Sequence, residues 1–264
     1  SDYDAGSDCD AGPDYDAGSD CDAGYDYDAG VPDGGLPIPC DPACTGATVC
    51  FYNNGTPECR QSIDLSNLVA VSGTSSSDVW AVGYDVVFHW NGTDWREATS
   101  PTGTSRYFNS VLAVSPTEVY VGSTSDVWWD GEIHHWNGMA WTKTWGGVGS
   151  KGVRALGSNG IAHWAVGSSG LVVELPGTPV TSPTSSDLTS VAVTSPPDAI
   201  SSPKVFAGMG NQLFLRETEW STHPLAGDDQ INALDAAEGT VWGVGEDGLV
   251  VNYDLPNEPE AYVH

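Results

Sequence analysis

The sequence predicts an all-β protein: a five-bladed β-propeller preceded by a small disulfide-rich module and an extended repeat arm. Three observations predict it. A unit of about forty residues recurs from residue 62 to the end, short apolar runs alternate with Gly-rich turns, and the composition changes twice near the N-terminus. We therefore expect three parts, at residues 1–35, 36–61 and 62–264.

The repeat of residues 62–264 is marked strand by strand. A first strand carries an anchor alanine, at Ala70, Ala113, Ala155, Ala192 and Ala233. A second strand ends in an aromatic residue, a short apolar run and Gly, as in WAVG ending at Gly83 and again at Gly167. A third strand such as VVFHW follows, and outer fourth strands are marked by Trp95, Trp141 and Trp220. Four short antiparallel strands per unit are typical of a propeller blade, and five units can be counted.

Two arrangements would complete the fifth blade and close the ring of blades. Its outer strand is supplied either by AYVH at residues 261–264 or by residues 62–67 pairing into the last blade. Both leave only short sheet edges, so the sequence keeps both open.

The segment DVWAVGYDVVFHWNGTDW resembles the WAVG-type propeller repeats of bacterial surface proteins. These are related to the Asp-box (BNR-like) propellers of sialidases, sortilins and the photosystem II assembly factor family. NGTDW at residues 91–95 and NGMAW at residues 137–141 keep the Gly-x-x-Trp part of the box and lack its Ser-x-Asp part. The resemblance is therefore degenerate over residues 65–264, and it implies that the box is a folding element rather than a catalytic one.

The first thirty residues repeat the unit x-Asp-(Tyr/Cys)-Asp-Ala-Gly. Residues 1–35 contain eleven Asp and no Lys or Arg, within a chain of net charge −28. Regularly spaced carboxylates are hard oxygen ligands, so we expect Ca²⁺ as the counter-ion. The candidate ligands are Asp2, Asp4, Asp8, Asp10, Asp14, Asp16, Asp20, Asp22, Asp26 and Asp28. Each unit supplies only two of them, so a complete site needs adjacent units or a second chain.

All six cysteines precede residue 60, at Cys9, Cys21, Cys40, Cys44, Cys50 and Cys59. An even number in a short loop-rich region predicts a disulfide framework and an extracellular or cell-surface location. The last four allow three pairings, and a zinc site is disfavoured because no His is near. Because the sequence begins at Ser1 without Met, we expect a processed product whose signal peptide has been removed. The Asp-Ala-Gly repeats and the Cys-rich patch together resemble leader regions of deltaproteobacterial secreted proteins.

Charge and motifs exclude several classes of function. The strongly acidic chain repels phosphate backbones, so we expect no nucleic-acid partner, and no apolar run is long enough for a membrane span. Channel-mouth groups would lie three residues before each anchor alanine, at Asn67, Ser110, Gly152, Thr189 and Gln230. None is acidic, whereas a glycoside hydrolase needs two carboxylates there. We expect no enzyme and no catalytic residue.

The second repeat contains an insertion, STSDVWWDGE, before its third strand. Trp128 and Trp129, flanked by Asp126 and Asp130, have the composition of a sugar-stacking platform. The alternative is that these tryptophans cover the edge of a neighbouring blade. Candidate glycosylation sites are Ser7, Ser19, Asn54 and Asn91.

The leading functional expectation is a non-enzymatic extracellular structural protein whose arm mediates assembly into a fibre or matrix. Thirty-five extended residues reach about 115 Å. A domain of this size has a diameter of roughly 40–45 Å, so the arm can span two neighbouring subunits. The expected partners are other copies of the chain, a homopolymer, or other surface proteins. The alternative is a carbohydrate-binding propeller lectin on a stalk, and a glycoside hydrolase ranks third.

Overall fold

The computed structural model describes two compact units of the chain, Ser1–Ser62 and Ile63–His264. The described residues are 48–53, 56–61, 68–102, 106–125, 130–147, 149–195, 202–225, 230–237, 240–254 and 260–263. In the first unit, β1 (Thr48–Asn53) and β2 (Thr56–Gln61) form an antiparallel hairpin. Its register places Cys50 directly opposite Cys59.

The second unit contains five four-stranded sheets, here called blades 1 to 5. Blade 1 contains β3 (Leu68–Ser75), β4 (Asp78–Gly83), β5 (Val87–Trp90) and β6 (Trp95–Glu97). Blade 2 contains β7 (Arg106–Ser115), β8 (Glu118–Ser125), β9 (Gly131–Trp136) and β10 (Trp141–Gly146). Blade 3 contains β11 (Val153–Ser158), β12 (His163–Gly167), β13 (Leu171–Glu174) and β14 (Thr178–Pro179). Blade 4 contains β15 (Ser190–Val193), β16 (Val205–Met209), β17 (Gln212–Arg216) and β18 (Trp220–Pro224). Blade 5 contains β19 (Ile231–Ala237), β20 (Thr240–Gly245), β21 (Leu249–Asp254) and β22 (Glu260–Val263).

Each blade is an antiparallel meander in which every strand pairs with the next one along the chain. Single-turn 3-10 segments, Ser168–Gly170 and Glu246–Gly248, join the second and third strands of blades 3 and 5. The predicted outer strand of the last blade is confirmed, since β22 pairs with β21. The alternative strand at residues 62–67 lies outside the described residues. The all-β prediction with propeller-type blades is thus confirmed.

Successive blades pack through their first strands: β3 against β7, β7 against β11, β11 against β15, and β15 against β19. Among the described residues, no comparable packing joins β19 to β3. The structure therefore shows a row of five blades, and the predicted closure of the ring is not part of what it shows.

The hydrophobic core lies between blades rather than within them, because each sheet is apolar on both faces. Between blades 1 and 2, Trp80 and Val82 pack with Phe108 and Val119. Similar clusters lie between blades 2 and 3, 3 and 4, and 4 and 5. Each interior blade thus depends on two neighbours, and each terminal blade on one.

The repeated Asn-Gly element closes the turn between the third and fourth strands. The side-chain oxygen of Asn91 accepts the backbone N–H groups of Thr93 at 2.9 Å and Asp94 at 3.0 Å. Gly92 adopts φ 93°, which a residue with a Cβ rarely takes. Asn137 makes the same pair of hydrogen bonds in blade 2. The local role of this element is therefore to hold a turn.

Candidate functional site

One aromatic residue in the second strand of blades 1 to 4 packs toward the following blade, and blade 5 has an aromatic residue at the same position. We call this residue the forward aromatic. The five occupy equivalent positions in the pairing of the first two strands of each blade: Trp80, Tyr120, Trp164, Phe206 and Trp242. The first four are buried, with exposed fractions between 0% and 4%. Trp242 is 46% exposed and Val244, two residues on, is 51% exposed. Blade 5 therefore presents an apolar face that the other blades bury.

In blade 1, the sheet face on the opposite side is also apolar and exposed to solvent. Val71 of its first strand is 67% exposed. By register, Val71 lies opposite Ala81, as Val111 lies opposite Val121 in blade 2. Val111 is 7% exposed, because blade 1 covers it. The two ends of the row are thus apolar faces of complementary type, which we call the blade 5 face and the blade 1 face.

The interface between blades 1 and 2 shows how such faces fit together. The ring centroid of Trp80 lies 5.9 Å from that of Trp136, in a tilted arrangement. It lies 5.7 Å from the ring centroid of Trp141, in an edge-on arrangement. Aromatic pairs favour such geometries. Beside them, the Ser72 hydroxyl accepts the backbone N–H of Ala113 at 3.0 Å. This aromatic contact and this hydrogen bond both help to align blades 1 and 2.

Blade 2 also contains a buried charged cluster. A single oxygen of Glu132, Oε1, lies 3.0 Å from Nη2 of Arg106 and 3.1 Å from Nζ of Lys143. Arg106 and Glu132 are about 90% buried, whereas Lys143 is half-exposed. Arg106 also donates to the carbonyl of Asp130 at 3.0 Å, which ties the base of the blade 2 insertion to the cluster.

His134 borders this cluster, with its Nε2 3.6 Å from Oε2 of Glu132. Burial lowers the pKa of His134 to about 4, and the charges of Arg106 and Lys143 add to this against the opposing effect of Glu132. The imidazole is therefore neutral near pH 7. The cluster contains one carboxylate shared between two cations, and it joins the first, third and fourth strands of blade 2.

Two histidines that occupy the same repeat position have a structural role. His89 stacks on Trp80 at 4.2 Å, and its Nε2 lies 2.7 Å from Oδ1 of Asp78. In blade 2, His135 stacks on Tyr120 at 4.8 Å. Both histidines stack on a forward aromatic, so they contribute to the packing between blades.

An exposed aromatic pair, Tyr84 and Tyr107, was not singled out by sequence. Its ring centroids lie 4.7 Å apart, and the residues are 38% and 46% exposed. An isolated bridge between these residues links blades 1 and 2. Tyr107 adjoins Arg106, which pairs with Ser125 at the start of the insertion. Only the insertion itself points to this region, because neither tyrosine belongs to the repeat motif.

The structure describes two of the predicted site residues in atomic detail. Asp130 is 6% exposed and accepts the backbone N–H of Gly149 at 2.6 Å. Asn91 is exposed, in the turn described above. Of the others, Cys50 and Cys59 are placed by backbone register alone. The arm aspartates, the remaining cysteines, Asp126, Trp128, Trp129, Ser7, Ser19 and Asn54 lie outside the described residues.

The described ranges hold no group of three or more His, Cys, Asp or Glu side chains placed to bind a metal ion. They also hold no helix with the length and apolar character needed to cross a membrane.

Comparison with known proteins supports the fold. A solved structure described as YCF48 bound to D1 peptide matches with a TM-score of 0.54 at 14% sequence identity. The match covers 74% of this chain and 66% of that one, so the chain spans just under two thirds of that protein's length. The fold is that of a β-propeller. No protein-family model and no curated protein sequence matches the chain.

Proposed function

We propose that the protein is a non-enzymatic extracellular structural subunit that assembles with other copies of itself. The observation that carries the proposal is the pair of unpacked blade faces at the two ends of the row. Val71 at one end and Trp242 and Val244 at the other are roughly half to two-thirds exposed, although equivalent residues are buried or partly buried at interior interfaces. Exposed apolar faces of this kind mark interaction surfaces.

The two faces differ in shape and belong to opposite sides of the repeat. A contact between unlike faces of two copies leaves one free face on each copy, so it continues into a fibre unless rotation closes it into a ring. The sequence predicts instead that the first and fifth blades close on each other. The separation of these blades in the described structure favours association between copies.

The N-terminal regions contribute to assembly in this proposal. The acidic arm spans neighbouring subunits, Ca²⁺ bridges its carboxylates, and disulfides stabilise residues 36–61. The register of Cys50 and Cys59 supports one of the three possible pairings. Directly opposed strand residues have Cα atoms about 4.5–5.5 Å apart, within the range of a disulfide.

Electron microscopy and sedimentation of the full chain test this proposal. We expect particles larger than one chain at micromolar concentration in Ca²⁺, and shorter particles after addition of chelator and reductant. Monodisperse single chains under all of these conditions contradict an assembly function.

A second candidate, a lectin, is favoured by the exposed Tyr84–Tyr107 pair beside the blade 2 insertion. Aromatic faces stack on sugar rings, and the insertion adds Trp128 and Trp129 to the same part of the sequence. A glycan array probed with the wild type and with a Tyr84→Ala/Tyr107→Ala variant tests it. Binding that the double substitution removes supports the lectin, and absence of any bound glycan contradicts it.

A further inference from the structure

We infer that blade 5 of one copy docks on blade 1 of a second copy with the geometry of an interior blade interface. Trp242 is the inserted group, and Trp90 with Trp95 forms the pocket that receives it. This inference rests on the proposed assembly function and specifies its contact surface. The interior blade interfaces serve as templates for this contact between copies.

Three of the four interior interfaces share one rule: the forward aromatic contacts a third-strand residue of the next blade, here called the receiving residue. At the interface of blades 2 and 3, Tyr120 contacts His163 of the second strand, with ring centroids 6.0 Å apart. The ring centroids lie 5.9 Å apart for Trp80 with Trp136 and 5.3 Å apart for Phe206 with Tyr253. In the third pair, Cζ of Arg216 lies 5.2 Å from the ring centroid of Trp164. Each receiving residue lies opposite a second-strand valine: Val119 for Trp136, Val241 for Tyr253 and Val205 for Arg216.

Blade 1 has the same receiving residue without a blade in front of it. Trp90 lies opposite Val79, the equivalent second-strand valine. Its ring lies 5.8 Å from Trp95 at an interplanar angle of 48°. In blade 2, Trp136 and Trp141 form the pair that receives Trp80. Their ring centroids lie 5.5 Å apart at an interplanar angle of 49°. The two pockets therefore match in composition and geometry.

Blade 5 has the complementary group. Trp242 occupies the forward position that Trp80 occupies in blade 1, so the residues that enter and line the two pockets are all tryptophans. The exposed fraction of Trp242 is 46%, against 2% for Trp80. The two free faces together therefore contain the same groups as the Trp80 interface. The inserted tryptophan is on blade 5, and the receiving pair is on blade 1.

A hydrogen bond of the template is also available. Ser72 lies opposite Trp80 and accepts the N–H of Ala113, and Asp235 lies opposite Trp242 in the same register. The position in blade 1 equivalent to Ala113 is Gly73, which is exposed. The Asp235 carboxylate of one copy is therefore placed to accept the Gly73 N–H of the next.

A second copy fits this surface better than an unrelated protein. Both halves of the interface occur on every chain, and the described fifth and first blades of one chain are not packed together. The contact is head-to-tail. Blocking either face on a chain consequently leaves that chain able to bind through its other face only.

Mixing two singly blocked full-length variants tests this property. Trp242→Asp blocks the blade 5 face and Val71→Asp blocks the blade 1 face. Met139→Asp and Ile161→Asp are matched controls, because these apolar residues are 87% and 78% exposed on interior blades. Sedimentation is measured in chelator and reductant, so that calcium and disulfides contribute nothing.

We expect the wild type and both controls to associate beyond dimers, and each blocked variant alone to remain monomeric. The concentration for half-association should rise about 30-fold or more, as for loss of a central interface residue. An equimolar mixture of the blocked variants should stop at a dimer. Circular dichroism confirms folding, and Trp90→Ala replaces Val71→Asp if the latter does not fold.

Each contrary outcome has a separate meaning. Blocked variants that associate like the wild type, or a mixture that stays monomeric, overturn the docking contact while leaving assembly through the arm in place. Wild type that associates only with calcium and without reductant also overturns the docking contact. A wild type that is monomeric in every buffer overturns the docking contact and the proposed function together.

Discussion

The interface between blades 1 and 2 and the free end of blade 5 are built from the same kind of strand but have different environments. Trp80 is 2% exposed at the first, whereas Trp242 is 46% exposed at the second. The local sequences, WAVG and WGVG, are nearly the same. Burial in this fold is therefore conferred by the next blade, not by the strand that carries the residue.

The largest effect expected from this comparison is on stability after truncation of the two tryptophans. Trp80→Ala should lower the free energy of unfolding by about 3–5 kcal/mol, because it removes a buried ring. Trp242→Ala should lower it by about 1 kcal/mol or less in a monomer. Urea unfolding at a concentration below assembly measures both. Equal losses would show that blade 5 is covered within the same chain.

Charged pairs provide a second contrast between interior and surface. Glu132→Gln leaves Arg106 buried without its anion and should cost about 3 kcal/mol. Asp187 forms an ion pair with Arg154 at 2.6 Å, but both side chains are nearly half-exposed. Asp187→Asn should therefore cost about 0.5 kcal/mol. Chemical denaturation of both variants at low salt compares them, and similar costs would mean that water reaches Glu132.

Acidification tests the same buried region of blade 2 through His134, which borders Glu132. Its pKa is about 4 in the folded chain and about 6.5 when unfolded, so the unfolded chain takes up the proton first as the pH falls. The stability associated with the neutral imidazole is present above pH 6.5 and is lost by about pH 4, amounting to roughly 3 kcal/mol. Unfolding curves of the wild type and of His134→Gln, taken across this range, isolate the effect. Parallel pH profiles would rule it out.

The smallest contrast concerns the residue two positions after each forward aromatic. In blade 2 this is Gly122, where an added Cβ would lie 2.4 Å from Cγ1 of Val153 on blade 3. Gly122→Val should destabilise by about 1–3 kcal/mol through overpacking. Blade 5 has the exposed Val244 there, and Val244→Ala should cost under about 0.5 kcal/mol. Thermal unfolding ranks the two, and a tolerated Gly122→Val would indicate that blades 2 and 3 can separate.

The blades could be predicted from sequence because glycines and aromatic residues mark the ends of their strands. The outer strands begin at the predicted Trp95, Trp141 and Trp220. The register within blades was less accessible. In blades 2 and 4, Ser110 and Ser190 lie opposite the glycines, in the positions that Ala70 and Ala155 occupy in blades 1 and 3. The space there requires a small side chain, which alanine and serine both provide, so the predicted anchors at Ala113 and Ala192 were displaced.

The site was less predictable than the fold. The Arg106–Glu132–Lys143 cluster joins three strands and has no spacing that a motif could record. Exposure of the terminal faces depends on whether blades 1 and 5 meet. The sequence predicts that they close on each other, and no motif within a single strand records whether they do. Most candidate residues predicted from composition belong to the arm and the insertion, outside the described residues.

Packing restricted to adjacent blades has a consequence for how the protein opens. In a linear array the stability is roughly a sum of repeat terms and neighbour terms, and the end repeats have half as many neighbours. Amide protons of blades 1 and 5 should therefore exchange with solvent through local opening well before those of blade 3. Strands that exchange fastest in a single chain are then the ones whose protection would rise most as copies add end to end.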